Sequence, residues 1–246
     1  MGKSVVSSCS RVQCLLQCGM LGVIALGGGS PLFAQQPSAA ALRQQADRCR
    51  ELLMRSVVDF YLPQSLDQVH GGYLEELGSA GSFSSGDSKF LVLQARQLWL
   101  FSTLAEAGIR PQQTLAAADS GFQFLQAHFL DPTDGGYISR VKRDGTAEDT
   151  RKHVYLNSFA LYGLVAYYRA TNNPKVLDAA WELFDVLQAK AYDREHGGYQ
   201  EFFYADWTPI TDPGEPRYVG AIDTKTYNTH LHLLEAFTQL HRVSPK

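Results

Sequence analysis

Apolar positions recur along the chain at the three- and four-residue intervals of amphipathic helices. In the first segment, residues 38–61, which ends before Pro63, these positions are Leu42, Ala46, Cys49, Leu53, Val57 and Phe60. The same criterion predicts five further helices, at residues 87–107, 115–130, 155–171, 174–192 and 226–243. The segments 87–107 and 155–171 are apolar on more than one side, which is typical of helices buried all round. The pattern thus predicts alternating outer and inner helices.

A short motif, DxxxGGY, lies between the helices of each pair. It occupies residues 67–73, 131–137 and 193–199, at intervals of 64 and then 62 residues. A repeat of this length with a turn between two apolar stretches is typical of helical hairpins that bury their faces by stacking. Glycine permits a positive φ and aspartate caps turns, so we interpret the motif as scaffold. Around it the sequence predicts a short strand at 73–75, an exposed loop at 78–86 and a turn at 144–145.

Three helical hairpins predict an all-α fold. Inner and outer layers of this kind form α/α toroids, and three hairpins correspond to half of a six-hairpin barrel. In such a half barrel the apolar flanks of the first and sixth helices are uncovered. We therefore expect a partial α/α barrel over residues 35–246.

The first 34 residues have the pattern of a secretory signal peptide. Lys3 and Arg11 give a positive start, residues 14–26 form an apolar core, and residues 31–34 offer a cleavage site. The apolar run is short for a stable membrane span. We expect an exported protein, periplasmic or extracellular, which would be anchored to the membrane if the leader is not cleaved.

Composition narrows the classes of function. The formal net charge is −3, and loss of Lys3 and Arg11 with the leader makes it more negative, which argues against a nucleic-acid partner. The hydrophobic content of 45% argues against disorder. Three of the four cysteines lie in the leader, so Cys49 has no partner for an internal disulfide in the mature chain.

Candidate chemistry lies at the starts of the inner helices, where free backbone N–H groups and the positive end of the helix dipole would face a ligand. Polar residues recur there in all three repeats: Lys89, Gln94 and Arg96; Tyr155, Asn157 and Ser158; Asn228, His230, His232 and Glu235. This placement predicts a ligand funnel lined by the inner helices.

On the last helix, Asn228, His232 and Glu235 are spaced i, i+4 and i+7 and share one face, whereas His230 points roughly opposite. Diverging histidines with no suitably spaced Cys, Asp or Glu argue against a metal site. Arg96 stands in an apolar helix three residues before Trp99. A buried arginine either pairs with an acid or awaits a ligand, and the sequence leaves both open.

Four segments together resemble one family. Residues 89–99, 155–160, 195–199 and above all 228–236 (NTHLHLLEA) are similar to the N-acylglucosamine 2-epimerase superfamily, most of all to its cellobiose 2-epimerase branch. The resemblance extends over residues 45–243, with the order and spacing of the motifs intact.

The resemblance implies a sugar 2-epimerase or aldose–ketose isomerase that uses no metal or nucleotide cofactor in most members. Such an enzyme removes the C2 proton of an opened aldose and reprotonates the enediolate on the other face or at C1. By similarity, Arg96 and His232 are the catalytic candidates, for oxyanion stabilisation and ring opening. The implied substrate-binding residues, with Glu235 orienting His232, are Trp99, Tyr155, Asn228, His230 and Glu235.

The chain departs from the family pattern in one respect. The histidine pair that moves the C2 proton in the family lies in the second half of the barrel, and no histidine here matches those motifs. His241, at the end of the sixth helix, matches neither. We therefore expect the N-terminal half of a barrel, truncated and weak or inactive by itself. The other half of the barrel could then be supplied by a second copy of the chain, in a homodimer, or by a different polypeptide.

Two other functions stay open. The chain could be a non-catalytic carbohydrate-binding half or a split subunit. An α/α-barrel glycoside hydrolase would instead need two carboxylates that flank the glycosidic bond, and Asp149 and Asp223 are the candidates before inner helices. In each case the ligand is a mono- or disaccharide.

Overall fold

The computed structural model describes residues 37–84, 86–215, 220–222 and 224–245. The predicted leader, residues 1–34, and Asp223 lie outside these ranges. The described part of the chain divides after Asp47 into two units. In the first unit, helix α1 (Ala39–Leu53) begins after Ser38, whose Oγ accepts a hydrogen bond from the N–H of Ala41 at 3.1 Å.

The second unit contains the end of α1 and five further helices: α2 (Leu91–Glu106), α3 (Pro111–Phe124), α4 (Val154–Thr171), α5 (Pro174–Lys190) and α6 (Tyr227–Val243). A π-helical turn continues α1 at Met54–Val58, before a last turn at Asp59–Tyr61, and another continues α3 at Leu125–Phe129. The six predicted helices and the all-α class are therefore confirmed. Within the described residues, no helix is long and apolar enough to cross a bilayer.

Local signals explain where the helices begin and end. Pro111 and Pro174 occupy the first turns of α3 and α5, where a missing N–H costs no hydrogen bond. The side chain of Asn173 caps α5 by accepting from the N–H of Lys175, and Thr226 caps α6 in the same way. Asn172, with φ +52°, ends α4 in the left-handed conformation.

In the part of the chain that the structure describes, the connections contain seven short strands: β1 (Glu76–Leu77), β2 (Phe83–Ser84), β3 (Ser88–Phe90), β4 (Arg140–Lys142), β5 (Ala147–Asp149), β6 (Lys152–His153) and β7 (Phe202–Phe203). They pair antiparallel as β1–β2, β3–β4–β5 and β6–β7. In the central sheet, Lys89 is opposite Val141. The β3–β4 and β6–β7 pairings join connections of neighbouring repeats.

These strands correct three local predictions. The strand expected at 73–75 is an isolated bridge between Leu66 and Tyr73, and the strand itself begins at Glu76. Part of the expected loop at 78–86 is strand β2. Helix α2 begins at Leu91 rather than 87, because residues 88–90 pair with β4 instead. The turn at 144–145 is confirmed between β4 and β5, and Gly145 has φ +91°.

The inner layer is α2, α4 and α6, with α4 packed against both of the others. The outer helices α3 and α5 pack on α2 and α4. Helix α4 buries twelve of its eighteen residues, which confirms that it is enclosed on several sides. Gly163 makes the α2–α4 contact close, since a Cβ there would lie 2.9 Å from the carbonyl oxygen of Ala95. The core is therefore centred on α4.

Each DxxxGGY motif forms the same closed loop. Both glycines of every motif have φ between +64° and +80°. The leading aspartate accepts two backbone N–H groups of its own loop, as Asp67 does from Val69 and His70 at 3.1 and 3.2 Å. The tyrosine hydroxyl is also bonded, in the first loop to the carbonyl oxygen of Ala117 at 3.0 Å. These contacts support the scaffold interpretation of the motif.

A lysine from the start of the following inner-helix segment reaches each loop aspartate. The ion pairs are Lys89–Asp67 at 3.0 Å, Lys152–Asp131 at 2.6 Å and Lys225–Asp193 at 2.6 Å. In the first loop both side chains are fully buried. Burial alone would raise the pKa of Asp67, but hydrogen bonds from Arg143, Lys89 and two backbone N–H groups outweigh it, so the pKa lies well below its usual range. The carboxylate is thus charged throughout the physiological range.

One face of α6 is apolar and uncovered. Tyr227, Leu231 and Leu234 are 82%, 37% and 65% exposed, and their i, i+4 and i+7 spacing places them on one stripe. Leu52, near the end of α1, is 45% exposed. The exposure expected for the sixth helix is therefore present in the described structure.

The buried first pair gives a stability prediction. Asp67→Asn keeps the acceptor for the loop N–H groups but leaves the Lys89 ammonium buried without its anionic partner. We expect the free energy of unfolding to fall by about 3–5 kcal/mol. Urea unfolding followed by circular dichroism measures it.

The control is Glu106→Gln, which breaks the surface pair with Arg169. It should change stability by less than about 1 kcal/mol. Equal losses in the two variants would contradict the importance assigned to the buried pair.

Candidate functional site

Side chains from all three inner helices meet around Phe159. The Arg96 guanidinium of α2 lies 5.5 Å from the Phe159 ring centre, and the His232 ring of α6 lies 4.6 Å from it. Tyr155, one turn earlier on α4, lies 5.1 Å from Phe159 and 5.5 Å from His232, between ring centres. The structure therefore brings Arg96, Tyr155 and His232 together, and we call these three with Phe159 the inner-helix cluster.

Glu235 fixes the orientation of His232. Its Oε2 lies 2.8 Å from His232 Nδ1, across one turn of α6. A carboxylate only accepts, so Nδ1 carries the proton of the neutral ring and Nε2 is left with a free lone pair. The His232 side chain is 23% exposed, which leaves that nitrogen in a partly open site.

Arg96 is more open than its helix predicted. We expected a helix buried all round, yet Arg96 is exposed, because this side of α2 is not covered by another described helix. Among the described residues no carboxylate pairs with Arg96. The first of the two alternatives that the sequence left open, pairing with an acid, is therefore not found among the described residues, and the guanidinium is open to solvent.

Beside Arg96 lies a cleft of about 460 Å³. Its walls are mostly aromatic and aliphatic, with Phe90 from β3, Trp99 from the middle of α2, Phe60 and Tyr61 from the helical turn Asp59–Tyr61, and Glu75. Trp99 also stacks on Tyr162 of α4, with ring centres 5.4 Å apart. A cleft of this size and lining suits a small ligand with both apolar ring faces and polar edges.

The remaining sequence candidates on α6 lie in different places. Asn228 is exposed one turn before His232, and its side chain makes no hydrogen bond among the described residues. His230 does not face the inner-helix cluster. Its Nε2 accepts the N–H of Tyr199 at 3.0 Å, and its Nδ1 lies 2.8 Å from the carbonyl oxygen of Thr226. His230 therefore contacts the third GGY loop rather than the cleft.

Gln94 and Asn157 occupy the positions in α2 and α4 that His230 occupies in α6. Their amides bond to both the N–H and the carbonyl of Tyr73 and Tyr137, respectively. Lys89, which the sequence had also placed at the funnel, lies in β3 and points into the first loop. Burial of the loop backbone requires these partners, so the three residues serve the scaffold.

Sequence reasoning missed Phe159 as the common contact of the cluster, and Lys152 and Lys225 as loop partners. Nothing in the sequence distinguishes Phe159, because a phenylalanine in an apolar helix is expected to be a core residue. The two lysines, by contrast, could have been identified from their spacing. Each stands five residues before the residue that binds its loop, as in Lys152 and Asn157, and this spacing recurs in all three repeats.

Other site chemistries find less support. Among the described residues, no group of three His, Cys, Asp or Glu side chains could hold a metal ion. Asp149, a glycosidase candidate, is bonded to Arg151 through both carboxylate oxygens, at 2.8 and 2.6 Å. Asp223, the other candidate, lies outside the described residues. The inner-helix cluster instead combines a fixed cation, a phenol and an imidazole of defined tautomer, groups that suit proton transfer and oxyanion stabilisation.

Comparison with known proteins identifies related chains. Residues 72–245 match the model of the N-acylglucosamine 2-epimerase (GlcNAc 2-epimerase) family. Cellobiose 2-epimerase of Dictyoglomus turgidum is 34% identical over 190 residues, which cover 77% of this chain and 48% of that protein. The chain thus spans about half the length of the curated relatives it matches.

Solved structures of cellobiose 2-epimerases are also similar to this chain. The cellobiose 2-epimerase of Spirochaeta thermophila superposes with a TM-score of 0.74 and 35% identity, over 85% of this chain and 52% of that one. This likeness shows the α/α-barrel fold. A family 76 glycoside hydrolase from a bovine Bacteroides thetaiotaomicron strain has a TM-score of 0.61 at 19% identity, over 82% and 40% of the two chains, and is similar in fold alone.

The His232–Glu235 contact predicts a defined tautomer. At a pH where the ring is neutral, nitrogen-15 NMR of the imidazole should show Nδ1 protonated and Nε2 bare. Glu235→Gln should give a mixture of tautomers, because the amide can either donate or accept. The same Nδ1–H tautomer in both proteins would show that Glu235 does not orient the ring.

Proposed function

The chain belongs to the N-acylglucosamine 2-epimerase family, and from this membership we propose that it binds an aldose at the inner-helix cluster and takes part in its 2-epimerisation or its isomerisation to a ketose. The observation that carries the proposal is the convergence of Arg96, Tyr155 and His232 on one ring, Phe159, from three separate helices. The cluster adjoins an aromatic-lined cleft, and sugar rings present apolar faces to such walls.

Ring opening is the first step that this cluster suits. The bare Nε2 of His232 can take the proton of the anomeric hydroxyl. As the C1–O bond to the ring oxygen breaks, a proton is returned to that oxygen, and the open aldehyde results. Glu235 supports the step, because its carboxylate stabilises the imidazolium that forms meanwhile.

Arg96 suits the next step. Removal of the proton at C2 places negative charge on the C1 oxygen of the enediolate, and an unpaired guanidinium near the cleft can stabilise that charge. Tyr155 and Trp99 can hold the sugar, through its hydroxyl groups and through an apolar ring face. Asn228 is exposed on the same helix face as His232 and is proposed as a further hydrogen-bonding residue.

Proton transfer at C2 limits what these residues can do alone. Epimerisation removes the proton from one face of the enediolate and delivers one to the other face. A single imidazole fixed by Glu235 reaches one face only. We therefore propose that the described residues supply binding, ring opening and oxyanion stabilisation, and that by themselves they turn over weakly or not at all.

The proposed substrate class is a mono- or disaccharide aldose. Related proteins are named for cellobiose and for N-acylglucosamine. The walls of the cleft are mostly apolar, and Arg96 is the one basic side chain among its described lining residues. This favours a neutral sugar over a phosphorylated one, which would require more positive charge. No metal or nucleotide takes part in the proposed steps.

Sugar binding tests the proposal. Calorimetric titration with cellobiose, mannose, glucose and N-acetylglucosamine should show binding of at least one sugar. Arg96→Gln should weaken the affinity about tenfold, because it removes a charge-assisted hydrogen bond. Arg110→Gln, at an exposed arginine outside the cleft, is the control and should bind as the wild type does.

Exchange with heavy water separates binding from catalysis. We expect little or no deuterium at C2 of a bound sugar, measured by proton NMR. Robust incorporation would overturn the proposed division of labour, and absence of binding by any of the four sugars would count against the function itself.

We also propose export, on the pattern of residues 1–34. When the gene is expressed in a bacterial host, the protein should be recovered from the periplasm or medium, with an N-terminus near residue 35 by peptide sequencing. A cytoplasmic protein that retains Met1 or Gly2 would contradict this.

A further inference from the structure

Each inner helix holds one GGY loop with a polar side chain, which is a carboxamide in the first two repeats and an imidazole in the third. Gln94 Oε1 accepts the N–H of Tyr73 at 3.0 Å, and its Nε2 donates to the carbonyl oxygen of Tyr73 at 2.8 Å. Asn157 makes the same two bonds to Tyr137, at 2.8 and 3.0 Å. These carboxamides satisfy both backbone groups of the loop tyrosine, and a carboxamide does not titrate.

His230 replaces the carboxamide in the third repeat. Its Nδ1 lies 2.8 Å from the carbonyl oxygen of Thr226, which can only accept, so Nδ1 carries the proton. The lone pair of Nε2 then accepts the N–H of Tyr199 at 3.0 Å. Both bonds are satisfied only by one tautomer of the neutral ring.

Protonation would remove one of these bonds. An imidazolium has two N–H donors and no acceptor, so the N–H of Tyr199 would face another N–H. The fit leaves little room for adjustment, since a Cβ on Gly198 would lie 2.8 Å from Nε2. Imidazoles take up this proton in mildly acidic solution, whereas Gln94 and Asn157 keep their bonds at any physiological pH.

The charges around His230 are of both signs. Lys225 stands beside the loop glycine Gly198 and disfavours a second cation. Asp193 is already paired with Lys225 and with the exposed His196, and Glu201 is bonded to the first turn of α6. Tyr199, whose ring centre lies 6.0 Å from the imidazole, is the other titratable neighbour, and burial raises its pKa. The negative charges are thus engaged elsewhere, and they offer the imidazolium no direct partner.

We propose that His230 is a positioning residue that holds the third loop to α6 only while its ring is neutral, so that the first turn of α6 loosens in mild acid. Asn228 and His232 flank His230 at two residues on either side. The consequence for sugar binding rests on the proposed function, whereas the loop contact itself does not.

The test compares the full chain at neutral pH and at about pH 5. Amide hydrogen exchange, corrected for the intrinsic rates, gives a protection factor for the N–H of Tyr199. In the wild type it should fall about tenfold in acid, the change expected when a buried donor loses its acceptor. The N–H of Tyr137, held by Asn157, should keep its protection at both pH values.

His230→Gln recreates the side chain of the first repeat and should abolish the pH dependence. His230→Phe removes the acceptor and should give low protection at both pH values. His196→Gln, at an exposed histidine of the same loop, is the control and should behave as the wild type does. If sugar binding is observed, the affinity of the wild type should fall in acid, whereas the affinity of His230→Gln should stay the same.

A Tyr199 protection factor that does not change with pH in the wild type would overturn the proposal. So would His230→Gln if it keeps the wild-type pH dependence. Hydrogen exchange is measured without sugar. Failure to bind any sugar would therefore count against the proposed function but would not affect the test of the His230–Tyr199 contact. The wild-type comparison needs no variant, so it decides the matter even if His230→Phe does not fold.

Discussion

The ion pair between each loop aspartate and the lysine that shortly precedes the next inner helix is the interaction on which the rest of the structure depends. The GGY loops bring polar backbone into contact with helices, and buried backbone groups must be hydrogen-bonded. Asp67 accepts two loop N–H groups, while Lys89 neutralises its charge and donates to the carbonyl oxygen of Gly71 at 2.6 Å. The loop therefore closes only when the start of the next inner helix is in place, which couples local turn geometry to helix packing.

The same pair is progressively more open along the chain. Both side chains are fully buried in the first repeat, only Lys152 is in the second, and Lys225 is 30% exposed in the third. A side chain from the following repeat accounts for the burial of the first two loops. Arg143 bonds to Asp67 of the first loop, and the indole of Trp207 donates to the backbone of the second at Gly135. Among the described residues no comparable side chain covers the third loop, so its stability depends more on the contacts of α6 itself.

Sequence periodicity predicted the helices well, because the apolar face of a helix recurs every three to four residues whichever element packs against it. The strands were harder, since β3 exists only because Lys89 is held opposite Val141, far along the chain. The site was predicted in part. The i, i+4, i+7 spacing placed His232 and Glu235 together, whereas the exposure of Arg96 depends on which helices surround α2. Sequence could not assign His230 to the loop, because that requires the position of Tyr199.

Equivalent positions of the three inner helices differ in burial according to the helices packed around them. Leu91, Ala95 and Leu98 on α2, and Val154, Ser158 and Leu161 on α4, are at most 1% exposed. Their counterparts on α6 are Tyr227, Leu231 and Leu234, all exposed. The first turn of α6 is therefore held by α4 on one side and by the GGY loop below, with no described helix on the other side. Because one side of this turn is exposed, its position depends more on the contact of His230 with Tyr199. The corresponding turns of α2 and α4 depend less on Gln94 and Asn157, since neighbouring helices enclose them. His232, the residue that α6 supplies to the inner-helix cluster, thus stands on the least supported of the three inner helices.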